Sequence, residues 1–401
     1  MDSGIKIDPK IFYNNKTLGI YVHIPFCQSK CFYCDFNTYA NIDDQIDDYI
    51  NSLIVEINIW SNILKASSIK SIFFGGGTPS YIHSKYIEKI LTSLSKHFII
   101  NKNIEITLET NPNDVMKQKF NDLLKIGINR ISMGVQSFDN YQLKMLGRRH
   151  DSKEAENSYN ILKEIGYNNL SIDLMYGLPY QSIKSWEKTL EKSTHLDPNH
   201  ISLYSLQVEK GTPLKNKIMS GEYEAPNDDN AADMYEIAEK TLFENKFSQY
   251  EISNWSKKKY ECIHNKIYWE NNYYLGLGAG AHSHINNIRF SNIRSPKLYT
   301  SNLNKKTSIK SNSNQLDFIE NLEKLSYSEQ ISDTLMMGMR LNEGINLTVF
   351  EKKFGKSMTN LFKNQINKLS KLNLINVSET HIKLSKKGRL LGNEVFKEFI
   401  I

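Results

Sequence analysis

Residues Tyr21 to Asn37 read YVHIPFCQSKCFYCDFN. The run that leads into them, Leu18 to Ile24, is short, apolar and rich in β-branched and aromatic residues, which predicts a buried strand. Cys27, Cys31 and Cys34 follow at once in the spacing Cys-x-x-x-Cys-x-x-Cys. Three thiolates from one tight loop make a soft-metal site. Structural zinc takes four protein ligands, usually as two paired arms, and no second arm is present. A 4Fe-4S cluster has four irons, each normally held by a thiolate, so three cysteines leave one iron open to a small molecule. Two readings compete with the cluster: a zinc loop completed by His23 or Cys262, and a set of buried thiols.

Outward from this loop, short β-branched runs alternate with longer segments of helical period, a pattern of βαβ units around a parallel sheet. Six strands are expected, at Leu18 to Ile24, Ile69 to Phe74, Ile104 to Leu108, Arg130 to Val135, Leu170 to Leu174 and Ile201 to Leu206. Ile46, Ile50, Leu53, Ile54 and Ile57 recur at helical spacing between the first two, and Ile87, Ile90, Leu91 and Leu94 make a second such stripe. Six units form either a partial barrel or an open doubly wound sheet, and periodicity does not choose.

Beyond Gly211 the alternation weakens. A helix around Ala231 to Asn245 leads into an aromatic-rich stretch, Tyr250 to His284. Ser301 to Asp317, SNLNKKTSIKSNSNQLD, is polar enough to be a linker. It divides an expected domain over 10–300 from a second over 318–401. In the second, Glu329 to Leu341 and Leu347 to Leu372 read as helical, and Leu374 to Val377 with His381 to Leu384 as a short hairpin, together a small winged-helix-like domain. Its helices carry no dense Lys and Arg cluster, so docking on the barrel is expected rather than nucleic-acid binding. The 401 residues, 40% of them hydrophobic, are enough for one large core and a small second one. A net charge of +6 is modest for this length and its lysines are interspersed with acids, so no nucleic acid partner is indicated. The amino-terminal MDSGIKIDPKIFYNN lacks the pattern of a signal peptide, no run is long enough to span a bilayer, and the four cysteines suit a reducing compartment; a cytoplasmic location is expected.

The polar residues of interest fall where each predicted strand ends, the active face of a parallel barrel. Gly75, Gly76, Gly77, Thr78 and Pro79 follow the second strand, Glu109 ends the third, Gln136 follows the fourth, Asp173 lies near the end of the fifth and Gln207 follows the sixth. Single acids at strand ends are commonly helix caps, but four such groups beside a cysteine loop make a site. The loop resembles that of the radical SAM superfamily, and more narrowly the HemN/HemW group. The resemblance implies a six-unit partial (β/α) barrel with a 4Fe-4S cluster on Cys27, Cys31 and Cys34 and S-adenosylmethionine (SAM) on its open iron. It also implies that Gly76, Gly77 and Thr78 meet the methionine amino group, that Glu109 and Arg148 hold the charged methionine end, that Gln136 and Asp173 bind the ribose, and that Tyr33 packs near the adenine; Gln207, after the sixth strand, is a further cofactor-binding candidate. Tyr21 stands where the family has a SAM-contacting tyrosine, with a core aromatic as the alternative.

Within the group, the dehydrogenase branch carries a further cysteine two places after the third ligand, where this chain has Asp35 and Phe36, and a longer segment before the loop than the 26 residues found here. The run CDFN and the motif HNKIYW, His264 to Trp269, continuing into Tyr274 to Ser283, resemble the heme-chaperone branch instead. That resemblance implies binding of heme and its delivery to respiratory heme apoproteins, with peripheral membrane association and a homodimer as further expectations. Coproporphyrinogen III dehydrogenation, methyl transfer and heme degradation are the enzymatic alternatives. His264 among Tyr268, Trp269, Tyr273 and Tyr274 is a candidate axial ligand to heme, with Cys262 and His282 competing for that role; alternatively these aromatics close the bottom of the barrel.

Overall fold

Both faces of Leu18–Ile24 (β1) are covered, with only Tyr21 partly accessible, so this strand has to lie inside a sheet rather than at its edge. In the computed structural model, which describes residues 9–12, 17–64, 67–308 and 316–401, it does. The five further strands expected from the sequence follow as Ser68–Gly76 (β2), Ile99–Thr110 (β3), Arg130–Gln136 (β4), Leu170–Tyr176 (β5) and His200–Ser205 (β6). Each pairs parallel to the next in chain order, which is the (β/α) barrel order. The crossovers include the helices Ile46–Ile63 (α1), Ser84–His97 (α2), Lys117–Lys125 (α3), Asn140–Met145 (α4), Ser152–Ile165 (α5) and Ile183–His195 (α6). The stripe on α1 buries Ile50, Leu53 and Ile57 completely, while Ile46 and Ile54 pack at its margin.

The barrel does not close. After Pro213–Met219 (α7) and Asp228–Glu244 (α8), Ser248–Glu251 (β7) and Asn254–Ser256 (β8) extend one side of the sheet, β8 antiparallel to β6 and β7 antiparallel to β8 at the edge. On the other side, Ile263–Trp269 (α9) returns the chain to β1, and Tyr274–Leu277 (β9) pairs parallel with it, Gly19 opposite Tyr274. His282–Ile285 (β10), Ile288–Asn292 (β11) and Ile319–Lys324 (β12) then run antiparallel to complete a twelve-stranded sheet.

Two boundaries differ from the sequence reading. The first eight residues of the stretch read as a linker are the end of a helix, Pro296–Ser308 (α10), because Leu303 is buried in the main core. Residues 309–315 of that stretch lie outside the described residues; Leu316 is again buried. The second domain therefore begins after β12, which belongs to the barrel sheet, and not at residue 318. Its core joins Tyr327–Gly338 (α11) to Leu347–Phe354 (α12), Met358–Leu361 (α13) and Lys363–Lys371 (α14), with the strands Ile345–Asn346 (β13), Ile375–Val377 (β14) and His381–Leu384 (β15). The helical stretch Leu347 to Leu372 is broken after α12 by Gly355, whose φ of 63° suits glycine and stops the helix. Across the seam between the domains, the Arg340 guanidinium lies over Trp269 at 5.3 Å and over Phe396 at 4.9 Å.

Candidate functional site: the cysteine loop and the barrel mouth

The cysteine loop leaves the carboxyl end of β1 and is clamped there by the glycine turn that ends β2. Gly77 N donates to Ile24 O at 2.8 Å and Thr78 N to Phe26 O at 2.9 Å. A Cβ on Gly77 would sit 2.7 Å from Phe26 O, and one on Gly76, whose φ is 108°, would lie 2.5 Å from the His23 ring. Gly77 thus lets two backbones approach, and Gly76 leaves room for the His23 ring. Each sulfur has its own polar neighbour: Thr78 Oγ1 lies 3.5 Å from Cys27 Sγ, Thr38 Oγ1 lies 4.0 Å from Cys34 Sγ, and Arg148 Nη1 donates to Cys31 Sγ at 3.3 Å. Burial pushes the Cys27 thiol up to about 11 and the Cys34 thiol upward as well, so these sulfurs ionise when a metal centre takes the proton's place. Three half-buried sulfurs with donors around them fit a cluster held by thiolates. The residues suggested as a fourth zinc ligand are engaged elsewhere. His23 Nε2 bonds Asn37 O at 2.9 Å, and buried Cys262 donates to Glu105 at 3.6 Å.

Behind the loop the barrel holds an inner cavity of about 190 Å³, reached from Tyr21, Glu109 and Tyr268, with Arg130, Asp173 and His264 deeper in. Glu109 accepts from Gly76 N at 3.3 Å; burial, and then the charge of Asp173, raise its carboxyl to about 8. Asp173 accepts from Ser132 Oγ at 2.9 Å and Ser171 Oγ at 3.1 Å, and burial raises it too. Gln136 adopts φ 68° at the end of β4, a conformation unusual for a side-chain-bearing residue, and its amide approaches the space that a Cβ on Gly134 would fill. Arg148 reaches Asn111 and Gly134 O besides Cys31, which draws the guanidinium toward the cluster loop. Tyr33 packs against Met145, Leu146, Met175, Leu178 and Leu206 and interacts with Arg148. Gln207 is exposed, two residues beyond β6, and lines neither cavity at the mouth.

His264 lies at the opposite end from the cysteines. The α9 helix precedes β9, so it sits at the start of the parallel strands and plugs the barrel there. Glu105 receives Ile263 N and His264 N, both at 3.1 Å, and so holds the head of α9. The imidazole is engaged at both nitrogens, Nδ1 with Ser71 Oγ at 2.8 Å and Nε2 with Tyr268 OH at 2.9 Å, and its ring stacks on Phe73. Burial lowers it to about 3, a neutral ring. Of the two readings of HNKIYW, this geometry matches the aromatic closure of the barrel.

The wider opening is on the cysteine side. A second cavity, about 660 Å³, shares Tyr21, Glu109 and Tyr268 with the inner one and is walled by Phe36 of the cysteine loop and by His282 and Arg294 of the antiparallel extension. Three residues that the sequence reading did not single out build this mouth. Asn37 ties the loop to the extension, donating to Ala279 O and Arg294 O. Glu56, buried on α1, accepts from Gly278 N at 2.8 Å and Asn292 Nδ2 at 2.7 Å and from Tyr299 OH. Tyr49, about two helical turns before it, donates to His23 O at 2.8 Å and accepts from Ala279 N at 2.9 Å. The signal available in the sequence was a lone acid within the apolar stripe of α1.

Comparison with known proteins agrees with this architecture. Residues 21–192 match the radical SAM superfamily and residues 325–391 the HemN C-terminal domain. The chain is 35% identical to the heme chaperone HemW of Bacillus subtilis over 95% of its own length and 98% of that protein. It belongs to the HemW family. Another HemW, from Haemophilus influenzae, is 32% identical over 96% of this chain and 98% of its own. The fold is that of the coproporphyrinogen III oxidase HemN of Escherichia coli, superposing with a TM-score of 0.84 over 98% of this chain and 92% of that one at 22% identity. As in the rest of the radical SAM superfamily to which HemW belongs, a 4Fe-4S cluster and SAM are the cofactors.

Proposed function

We propose that this chain is a heme chaperone that binds heme beside its cluster loop and hands it to respiratory heme apoproteins. The observation that carries the reading is the cavity of about 660 Å³ at the barrel mouth, within the range of sites for cofactor-sized ligands, in a chain similar over 95% or more of its length to proteins named heme chaperones. Cys27, Cys31 and Cys34 hold the cluster, and Arg148 orients the loop through Cys31. The chemistry a cluster of this kind supplies when bound is electron transfer at low potential.

Glu109 is placed to take the SAM ammonium, as an anion within a water-poor wall where a charge-assisted bond is strong. Gly76 shapes the turn beside it, and Gln136 at the end of β4 faces the ribose. Asp173 is already satisfied by serine hydroxyls, which leaves it limited capacity for ribose and a larger part in raising Glu109. Tyr33, in its apolar cluster, is the adenine neighbour.

Among the described residues no helix is long and apolar enough to cross a membrane. A cytoplasmic location, peripheral contact with the membranes that carry respiratory acceptors, and a homodimer belong to the same proposal, and co-sedimentation with vesicles and light scattering test the last two. The deciding experiment incubates anaerobically reconstituted protein with hemin and an apo-cytochrome, and separately with SAM, reductant and coproporphyrinogen III. Heme transfer without formation of protoporphyrinogen IX is expected; efficient decarboxylation of coproporphyrinogen III would refute the chaperone reading.

A further inference from the structure

Two imidazoles compete for a heme iron in this molecule, and the space around each separates them. The cavity at His264 is about 190 Å³, below the several hundred that an organic cofactor fills, and both nitrogens of that ring are hydrogen-bonded. His282 is the reverse case. It is exposed at the start of β10, lines the cavity of about 660 Å³, and neither of its ring nitrogens has a hydrogen-bond partner among the described residues. Nearby on the same wall, at the end of β11, the Arg294 guanidinium is exposed and forms no ion pair among the described residues, although its own carbonyl is held by Asn37. Phe36, 65% exposed, faces this cavity from the cysteine loop. An iron porphyrin asks for these three things in one place: a free imidazole for the metal, a cation for a propionate and an aromatic plane for the ring.

We propose that His282 is the axial ligand of the transported heme, that Arg294 pairs with one of its propionates, and that Phe36 covers one face of the ring. The proposal rests on the heme-chaperone reading and specifies its site. The wall that carries both side chains is rigid where it needs to be. Ser283 and Ser291, next to His282 and across from it, are buried in the β10–β11 ladder, with His282 opposite Ser291, and the preceding turn is fixed by Tyr49 and Glu56. A ligand on this wall is reached from solvent, as release to an acceptor requires, and faces the cluster loop through Phe36.

Hemin titration of the full-length protein, followed at the Soret band, tests this in an order that keeps the two readings apart. Wild-type protein that fails to bind hemin stoichiometrically refutes the chaperone reading itself. If it binds, His282→Ala is expected to weaken hemin at least tenfold and to move the Soret band, and added imidazole is expected to restore the band. His282→Met, which keeps a ligand, is expected to bind with a displaced band and so separates ligation from misfolding. Arg294→Gln is expected to lower affinity without moving the band and to abolish any preference for hemin over its dimethyl ester. An unmoved Soret band and unchanged affinity in His282→Ala, or a band in His282→Met identical to wild type, overturns the assignment.

Discussion

The side-chain amide of Asn37 donates to the carbonyl of Arg294 at 2.9 Å, with a second bond to Ala279 O at 3.1 Å, and these bonds join the cysteine loop to a wall formed more than two hundred residues later. The loop and the wall are thus one construction, and the last residue of CDFN is its fastener. A Cβ on Gly280 would lie 2.5 Å from the Asn37 amide, which shows how closely the two are fitted.

Replacing Asn37 with Ala removes the donor from the carbonyl of buried Ala279 and leaves that of exposed Arg294 to Tyr39 OH and solvent, and is expected to destabilise the protein by about 1–3 kcal/mol. The loop should then hold its cluster less firmly. Faster loss of the cluster's visible absorbance in air, together with a lower thermal midpoint, is the predicted result; wild-type behaviour in both would show that the fastening is incidental.

Cys31→Ala is expected to leave the folded chain without a complete 4Fe-4S cluster, since Cys31 is both a cluster thiolate and the anchor for Arg148. Iron and sulfide content after anaerobic reconstitution measures this. A full complement of four irons in the variant would remove Cys31 from the ligand set.

SAM binding should depend on pH through Glu109. Its carboxyl, raised to about 8 by burial and then by Asp173, is protonated at neutral pH in the free protein, whereas partnership with an ammonium needs the anion. Binding therefore expels a proton, and affinity is expected to rise with pH, by at most roughly tenfold per unit, up to about that value and to fall again above it as the SAM ammonium releases its own proton. Equilibrium dialysis between pH 6.5 and 9 reads the slope. Glu109→Gln should be flat and weaker, and a wild-type profile that is flat as well would take Glu109 out of the site.

Glu56 makes a prediction about stability. Burial raises its carboxyl from 4.5 to about 7. Between those values the native state keeps a proton that the unfolded chain has released, so Glu56 makes stability fall as pH rises across that window. Glu56→Ala, which strands the Gly278 N–H and the Asn292 amide, is expected to lose about 2–4 kcal/mol and the pH slope with it. Urea unfolding at pH 5 and pH 7.5 checks both; an unchanged slope would assign the titration to another group.

Much of this was legible in advance because it is local. The six parallel strands and the helices α1 and α2 announce themselves by runs and stripes within a few residues, and the glycine turn and the acids follow each strand end. What was hidden is what depends on distant partners. HSHI and IRFSN are four and five residues long and carry histidine, serine and asparagine, so β10 and β11 leave no strand pattern; their stability comes from pairing with one another and with β12. Nothing near Asn37 or Glu56 in sequence indicates bonds to residues 279, 292 or 294. The motif HNKIYW was readable as an aromatic nest for a histidine, but which way its imidazole faces is decided by Ser71 and Glu105 on neighbouring strands. The ends of the polar stretch were hidden for a related reason: Leu303 and Leu316 are each buried in the main core, which the surrounding polar residues conceal.

The pairing of β1 with β9 has a consequence for how the molecule is made. On a ribosome, β1 emerges early and finds β2 within about fifty residues, but its other edge waits for Tyr274–Leu277. Until then a strand in which Leu18, Ile20, Val22 and Ile24 are all destined for full burial has an open hydrogen-bonding edge, a template for unwanted pairing. The carbonyls that receive Asn37 arrive later still, so for most of its synthesis the nascent chain carries its cysteines in a loop held by the glycine turn of β2 but not yet fastened to the wall. Firm cluster retention is thereby a late event, and translation arrest before residue 279 should yield chains that lose iron faster than the full chain.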